Sequence, residues 1–369
     1  MIGMSLTQQT VSRFGSESGF DLTGAVALPL AAAGELRERV EEFVGTGRAG
    51  KMEYLKRKND EGELLRASAT NPFLWARSMI VCAANYNADA VRSIDAAPGG
   101  AGWIARYAWS GKAGRPSDYH KVLRRRLEQM DAGLKAELGE FESRCFVDTG
   151  PIVERAHAVF AGLGWVGKNT CLIHPQLGSW VFLGVILTSL EVEEPALTVA
   201  DRCGSCTRCM DACPTGALIA PYRMDANRCI AYLTIEEKGS SPELLRKRIG
   251  RQVFGCDICQ DVCPWNRKAP VARDEELSPR EQLVNPSLLW LASLDEAQFG
   301  ALFNGSPVRR AGFDGLRRNL AVAIGNARLT EAVPALRLWS REENPALREA
   351  AEWALAEMAG ATERSSGKT

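Results

Sequence analysis

The sequence predicts an α+β protein in which an α/β part, a cysteine-rich part and a helical part follow one another. Three observations support this prediction. Helical and extended patterns alternate over the first 195 residues, eight of the eleven cysteines fall between positions 203 and 263, and apolar residues recur at helical spacing after position 313. We expect domains over residues 1–195, 196–270 and 271–369, consistent with the length of the chain.

The N-terminal part contains two segments with helical periodicity and five extended segments. The helical segments are Leu6–Phe20 and Leu36–Val44. The extended segments, rich in β-branched and aromatic residues, are 24–30, 78–84, 145–148, 170–173 and 180–190. Such alternation is typical of the α/β and α+β classes.

The composition excludes several classes of protein. The chain has 45 Lys and Arg against 45 Asp and Glu, with 46% apolar residues, which is average for folded proteins. Residues 1–20 carry no apolar run typical of a secretion signal, and the longest apolar stretch, 180–190, has eleven residues where a membrane span needs ~20. We therefore expect a cytoplasmic protein whose clustered cysteines are reduced and bind metal.

Eight cysteines form two runs with one isolated cysteine between them. The first run, 203–214, has the C-x2-C-x2-C-x3-C-P spacing of bacterial ferredoxins, and the second, 256–264, reads C-x2-C-x3-C-P. In two-cluster ferredoxins the last cysteine of each run ligates the other cluster. The prediction is one [4Fe–4S] cluster on Cys203, Cys206, Cys209 and Cys263, and a second on Cys213, Cys229, Cys256 and Cys259.

Structural zinc is the alternative for these cysteines, because C-x2-C pairs also bind zinc. The two Cys-Pro endings favour clusters. The remaining Cys82, Cys145 and Cys171 lie in apolar stretches and are predicted to be core residues.

The segment Asp148-Thr149-Gly150-Pro151 follows an extended stretch and precedes a helix expected to begin at Ile152. Asp148 or Thr149 could simply cap that helix. A carboxyl group at a strand end, facing a pocket, is also suited to delivering one proton. The Asp-Thr-Gly triplet resembles aspartic proteases, but these need two such carboxylates and the chain has one.

Two further patterns give weaker signals. The segment from Gly162 to Lys168 matches dinucleotide and phosphate-loop patterns, but it follows a helix instead of a strand and Asn169 replaces the required Ser or Thr. We interpret it as a tight glycine turn. His120 is one of three histidines, and spacing alone assigns it no role.

Several motifs in a fixed order resemble the epoxyqueuosine reductase family over nearly the whole chain. They are ARYA and DYH (105–108 and 118–120), VDTGPIVERA (147–156), AGLGWVGKNT (161–170) and the two cysteine runs. The resemblance implies a cobalamin-dependent iron–sulfur enzyme that reduces epoxyqueuosine to queuosine at the wobble position of tRNA. It also implies that Asp148 is the proton donor.

The same resemblance implies a cofactor pocket. The residues assigned to it are Asp118, Tyr119, His120, Arg155, Lys168 and Asn169. The stretch 110–117 is longer than the family's usual link before DYH, and it is either a surface loop or a change to one rim of the pocket.

The implied reaction sets chemical requirements. Converting an epoxide to an alkene takes two electrons and two protons, and the electrons must come from a cofactor. Cobalamin, refilled by the clusters and by an external low-potential donor, would supply them. Ring opening leaves a basic alkoxide, so Asp148 must act as an acid, which requires a pKa raised by desolvation or by substrate binding.

The C-terminal part is predicted to be helical and basic. A polar linker near Pro270 precedes helical patterns at 313–324, 330–339 and 345–358, which resemble one HEAT-like repeat. Between positions 308 and 341 the sequence contains seven arginines and only two acidic residues. We expect Arg309, Arg310, Arg317 and Arg318, with the basic stretch 121–126, to contact tRNA phosphates, although any single arginine could belong to a solvated helix face.

Two other functions remain open from the sequence. One is a cobalamin-dependent reductase of a small molecule, similar to reductive dehalogenases, and the other is an iron–sulfur electron carrier. The first should lack the basic C-terminal region, and the second would not need the DTGP and DYH motifs. We expect a monomer.

Overall fold

The structure, a computed structural model, describes residues 5–366, with side chains described as far as residue 359. The α-helices in this range, α1 to α13 in chain order, are Gln8–Glu17, Ala33–Gly45, Tyr119–Leu138, Glu154–Phe160, Arg208–Asp211, Ile230–Ile235, Glu243–Ile249, Ile258–Asp261, Leu288–Ala292, Glu296–Leu302, Phe313–Ala327, Val333–Trp339 and Pro345–Ser366. None of these described helices is long and apolar enough to cross a membrane.

The strands are short except in one sheet. In chain order, β1 to β15 are Ser5–Leu6, Leu22–Ala27, Ser78–Asn85, Trp103–Ile104, Ser110–Lys112, Arg115–Pro116, Ser143–Phe146, Trp165–Val166, Leu172–Ile173, Val181–Thr188, Glu191–Val192, Leu218–Ala220, Arg223–Met224, Gln252–Phe254 and Ser278–Pro279. The protein therefore mixes helix and sheet, as the sequence predicts.

The N-terminal part is built on an antiparallel sheet in the order β2-β3-β10-β7. Every residue of β3 is buried, because helices cover both faces of the sheet. Successive side chains of a strand point to opposite faces. Ile80 and Cys82 accordingly pack with α1 and α3, while Met79 and Val81 pack on the other face with Ala158 of α4.

The extended segments 24–30, 78–84, 145–148 and 180–190 are confirmed as strands of this sheet with shifted ends. The helix expected at Ile152 begins instead at Glu154, with Val153 at its N-cap and no side-chain cap, so neither Asp148 nor Thr149 caps it. Pro151 disfavours helical geometry in the residue before it, which keeps this loop bent.

The stretch 110–117 forms a β-hairpin. Of the two alternatives, a surface loop or a change to the pocket rim, the structure favours the surface loop. Lys112 pairs with Arg115, and Ala113 and Gly114 both have positive φ, as a two-residue hairpin turn requires. Its first strand also pairs with β15. The glycine turn at 162–167 is confirmed too, since Gly162 and Gly164 have positive φ and a Cβ on Gly164 would lie 2.2 Å from the carbonyl oxygen of Ile173.

One hydrophobic core crosses the expected domain boundaries. Strand β14, which lies between the two cysteine runs, pairs with β4 of the N-terminal part, and α11 packs against β14. Asn319 of α11 donates to the carbonyl oxygens of Thr234 (2.8 Å) and Val253 (2.9 Å). The segment after Ala269 is also fixed, because Asn85 donates to the carbonyl oxygen of Pro270 (2.9 Å). The C-terminal helices are thus anchored on the body of the protein.

Candidate active site and cysteine sets

A cavity of about 820 Å³ lies between the central sheet, the start of α3 and the C-terminal part. We call it the main cavity. Its wall combines acidic, basic and aromatic side chains, among them Tyr86, Asp118, Tyr119, His120, Asp148 and Arg310. Four residues implicated by the resemblance, Asp118, Tyr119, His120 and Asp148, are therefore brought together in one place, with Arg155 beside them.

Asp148 lies on the loop that follows β7 and adopts a left-handed backbone conformation with φ of 54°. Such a conformation is uncommon for residues other than Gly, Asn and Asp, and it is concentrated at functional sites. About half of the Asp148 side chain (49%) is exposed, in the main cavity. Its Oδ2 accepts a short hydrogen bond from the Tyr119 hydroxyl, and His120 Nε2 lies 3.5 Å from the same oxygen.

The first turn of α3 presents Tyr119 and His120 to Asp148. Asp118 caps this helix by accepting from the backbone N–H of His120 (3.1 Å), and its carboxylate also bonds His120 Nδ1 (2.9 Å). Tyr119 stacks between Phe182 and His120, with ring centroids 4.1 and 4.0 Å away. These contacts fix both rings, so the donors that meet Asp148 are already in position.

The charges of Asp118, His120 and Asp148 influence one another. Burial opposes a charge on His120, but its bonds to Asp118 and Asp148 outweigh burial and raise the pKa of His120 to about 9. Burial alone would raise the pKa of Asp148, but the bonds from His120 and Tyr119 and the charge of Arg155 lower it below its usual value. At neutral pH the pair is therefore ionised. Desolvation therefore does not raise the pKa of Asp148 on balance, which leaves substrate binding as the other expected cause of a raised pKa.

This coupling has a consequence for stability. Because the pKa of His120 is raised from 6.5 to about 9, the charged ring stabilises the folded site fully below pH 6.5, and this contribution is lost as the pH rises through 9.

A second cavity of about 530 Å³ adjoins the main cavity. The two share Leu55, Arg66, Glu154 and Arg155, which form the wall between them. Arg66 donates to the carbonyl oxygen of Ile152 (2.9 Å), and Arg155 donates to that of Thr170 (2.7 Å). Arg66 thus braces the loop that carries Asp148, and Arg155 ties α4 to the turn that contains Thr170.

The cysteine thiols fall into two neighbouring sets. Burial, together with the nearby Cys203 and Cys209, raises the pKa of Cys263 to about 11, so the last cysteine of the second run lies beside the first run. Burial and the neighbouring Cys229 and Cys213 likewise raise the pKa of Cys256. The neighbours are therefore those that a crossed arrangement of the two runs requires.

Three residues lie elsewhere than the sequence predicts. Cys171 is only partly buried and contacts Cys259, whose bond to it lowers the pKa of Cys171 to about 7, so it is not a core residue. Lys168 bonds the carbonyl oxygens of Gly204 (2.6 Å) and Cys206 (3.0 Å). Asn169 lies 3.4 Å from that of Cys259, so neither it nor Lys168 lines the main cavity. A turn so near the cysteine runs supports their loops.

The predicted arginine patch is only partly available to a ligand. Arg318 is buried and donates to the carbonyl oxygens of Leu233, Glu237 and Gly239, so it holds the fold together and cannot meet a phosphate. Arg317 is paired with Asp314 and Glu342 (2.5 and 2.6 Å) and is largely buried.

Two of the predicted arginines do face outward. Arg309 is exposed, and Arg310 is half exposed at the main cavity, where it pairs with Glu236 (2.7 Å). The basic stretch 121–126 contributes less than expected, because Arg126 is buried against Asp274 (2.6 Å) and Arg125 is bonded to Glu276. Sequence spacing cannot reveal such pairing, since the acidic partners are about 150 residues away.

Comparison with known proteins agrees with these features. Residues 202–266 match the family model described as "4Fe-4S double cluster binding domain", and residues 66–149 match "Epoxyqueuosine reductase QueG, DUF1730". The two cysteine runs lie beside a cavity that contains the ionised pair Asp148 and His120. Together with the matched cluster-binding domain, they define an iron–sulfur oxidoreductase.

Relatives of known name are similar over most of the chain. An epoxyqueuosine reductase of Pseudomonas aeruginosa is 39% identical over 352 residues, which is 94% of this chain and 93% of that protein. One of Xanthomonas campestris is 48% identical over 258 residues, 69% of this chain and 70% of that protein. The chain therefore belongs to the epoxyqueuosine reductase family, which uses cobalamin and two [4Fe–4S] clusters.

Solved structures share the fold. An epoxyqueuosine reductase from Streptococcus thermophilus has a TM-score of 0.82 and 30% identity, covering 95% of this chain and 90% of that one. An epoxyqueuosine reductase solved with an epoxyqueuosine-modified tRNA-Tyr stem loop has a TM-score of 0.84 and 28% identity, covering 98% of this chain and 94% of that one.

Sequence reasoning missed several residues of the main cavity. Tyr54, Arg66, Tyr86 and Phe182 come from separate segments, and no motif groups them. Glu154 also lines the cavity, and its signal was its position beside Arg155 in the VERA segment.

Proposed function

We propose that this protein reduces epoxyqueuosine to queuosine at the wobble position of tRNA, with Asp148 delivering a proton to the epoxide oxygen. The observation that carries the proposal is the position of Asp148 in the main cavity, held by Tyr119 and His120 and next to the cysteine sets. Membership of the epoxyqueuosine reductase family supports this function over that of a small-molecule reductase or an electron carrier.

The residues present fit the family's cofactors. The two neighbouring thiol sets suit two [4Fe–4S] clusters, one on Cys203, Cys206, Cys209 and Cys263 and one on Cys213, Cys229, Cys256 and Cys259. The adjoining cavities of about 820 and 530 Å³ give room for cobalamin, with Tyr119, His120 and Arg155 at its border. When bound, these groups supply the two electrons of the reaction.

The set containing Cys259 is the one closer to the main cavity. Tyr86 lines the cavity and bonds Gln260, and Arg155 lies near Cys171, which contacts Cys259. Ile235 and Glu236 of the segment after Cys229 also line the cavity. We assign this set as the last electron carrier before the cavity and the set containing Cys203 as the one that meets the external donor.

The rim of the main cavity has the chemistry of an RNA-binding surface. Tyr54 is partly exposed (39%), and the guanidinium groups of Arg66 and Arg310 each lie 5.5 Å from its ring centroid. Unstacked RNA bases bind on aromatic rings and arginine planes, and phosphates bind arginine. Tyr54 with Arg309 and Arg310 is therefore our proposed contact with the anticodon loop, and α11 to α13, read as a HEAT-like unit, hold Arg309 and Arg310 in place.

The tRNA contact can be tested with the double replacement Arg309→Glu and Arg310→Glu. We expect weaker tRNA binding, and a slope of log affinity against log salt that is lower by roughly 1 for each lost phosphate contact. Fluorescence anisotropy with a labelled anticodon stem loop, measured over a series of salt concentrations, gives both numbers. Arg337→Glu, an exposed arginine of α12 outside the cavity lining, is the matched control. Unchanged affinity and slope in the double variant would assign tRNA binding to another face.

The reaction itself is tested by anaerobic reconstitution. Protein loaded with iron, sulfide and cobalamin is given a chemical reductant and a tRNA bearing epoxyqueuosine, and the nucleosides are analysed by mass spectrometry. We expect a nucleoside that has lost one oxygen atom, formed only when cobalamin is present. Protein that holds both clusters but neither binds cobalt nor converts the nucleoside would be an electron carrier.

A further inference from the structure

Glu154 is a partly buried acid in the main cavity to which nothing above assigns a role. It is the first residue of α4, six positions after Asp148, and it lines both cavities. Its Oε1 atom is inaccessible to solvent and has no hydrogen-bond partner. An unpartnered buried carboxylate oxygen is costly, whereas a protonated carboxyl group at the same place costs much less.

The surroundings of Glu154 favour the protonated form. Burial, and after it the negative charge of Asp148, raises the pKa of Glu154 to about 7, and this outweighs the opposing effects of the hydrogen bond from its own backbone N–H and of the charges of Arg66 and Arg155. Asp148 is in the opposite state, since its hydrogen bonds and positive neighbours lower its pKa. Near neutral pH the two carboxyl groups of this cavity thus share at most one proton, which Glu154 holds and loses as the pH rises through about 7.

The proposed reaction consumes more protons than an ionised Asp148 can provide. Opening the epoxide and expelling its oxygen as water takes two electrons and two protons, and the clusters and cobalamin provide only the electrons. An ionised Asp148 must first receive a proton before it can donate one.

We propose that Glu154 is the proton store of this site and passes its proton to the Asp148 carboxylate, which delivers it to the substrate oxygen. The proposal rests on the proposed function. In the transfer, the O–H bond of Glu154 breaks and an O–H bond forms on Asp148, and solvent protons then restore Glu154. Two such transfers accompany the two electrons, breaking both carbon–oxygen bonds of the epoxide and releasing one water.

The charged groups that face Glu154 come from several elements. Arg66 lies on the segment before β3, Arg155 follows Glu154 on α4, and Asp148 lies on the loop before it. Tyr119 and His120 of α3 act on Glu154 through Asp148. Across the second cavity are Arg39, Glu42, Arg48 and Arg223.

The test compares Glu154→Gln with Glu154→Asp in the reconstituted holoenzyme. Gln has nearly the same shape but holds no exchangeable acid. In single-turnover reduction of epoxyqueuosine tRNA, the rate of the wild-type protein should fall as the pH rises through about 7, because Glu154 then loses its proton. Glu154→Gln should be about tenfold slower and lose this pH dependence, and Glu154→Asp should restore it in part.

Glu53→Gln is the matched control, because Glu53 is an exposed residue paired with Lys56 outside the cavity. Iron and cobalt contents report whether each variant has folded and loaded normally. A second measurement does not depend on turnover: the infrared spectrum of the wild-type protein at about pH 6 should contain a protonated carboxyl band that is missing in Glu154→Gln and that disappears as the pH rises through 7.

The outcomes separate this proposal from the proposed function. If the wild-type protein converts the nucleoside and Glu154→Gln shows the same rate and pH profile, Glu154 stores no proton while the function stands. If the carboxyl band is absent from the wild-type spectrum, the proposal is likewise overturned. If the wild-type protein converts no epoxyqueuosine but shows the band, the proposed function fails and the protonated Glu154 remains.

Discussion

We expect the replacement of Asp148 with Asn to lower the rate of epoxyqueuosine reduction by about 100-fold or more, while the protein keeps both clusters and cobalamin. Asn occupies nearly the same volume and its amide oxygen still accepts from the Tyr119 hydroxyl, so the loop after β7 keeps its conformation. The amide cannot carry a proton to the opening epoxide. Asn also tolerates the positive φ of this position.

Asp148→Asn also changes its neighbour. The carboxylate of Asp148 is one of two that raise the pKa of His120 to about 9, so its loss should lower that pKa towards 6.5. Histidine ring signals in a proton NMR titration report the shift. Asp60→Asn, an exposed residue in an early loop, serves as the control for both measurements. Full single-turnover activity of Asp148→Asn, with normal iron and cobalt content, would remove Asp148 from the role of proton donor.

Local signals in the sequence predict much of this site. The spacing of the cysteine runs depends on short-range geometry around a cluster, and the family model for residues 202–266 confirms the cluster-binding prediction. The sequence also predicts the strands of the central sheet, because a buried run of β-branched and other apolar residues is a local signal. Asp148 stands out in the sequence because a strand, a turn and a proline coincide within a few residues.

The rest depends on tertiary contacts that spacing does not encode. The sequence predicts a surface charge at Arg318, but its guanidinium group donates to carbonyl oxygens in and just after α6, more than 70 residues away. The sequence predicts that Asp148 carries the proton, but the structure favours a proton on Glu154. Donors from α3 meet the carboxylate of Asp148, whereas no donor reaches Oε1 of Glu154. The apolar sequence neighbours of Cys171 predict a core residue, yet its side chain contacts Cys259.

The crossed arrangement of the cysteine runs predicts which cluster each variant loses. Cys263 lies in the second run, but its neighbours are Cys203 and Cys209, so Cys263→Ala should lose the cluster bound by the first run. Cys213 lies in the first run, but it neighbours Cys229 and Cys256, so Cys213→Ala should lose the other cluster. In each case the iron content should fall from about eight to about four per chain.

The two variants should also differ in activity when a chemical reductant supplies the electrons. Cys263→Ala keeps the set nearer the main cavity, so a strong chemical reductant acting directly on that cluster should still drive one turnover. Cys213→Ala lacks the carrier next to the cavity and should be inactive under the same conditions. Cys82→Ala, which changes a buried cysteine of the central sheet, should keep about eight irons and controls for the loss of a thiol. The opposite pattern, with Cys213→Ala active and Cys263→Ala inactive, would mean that each run ligates its own cluster.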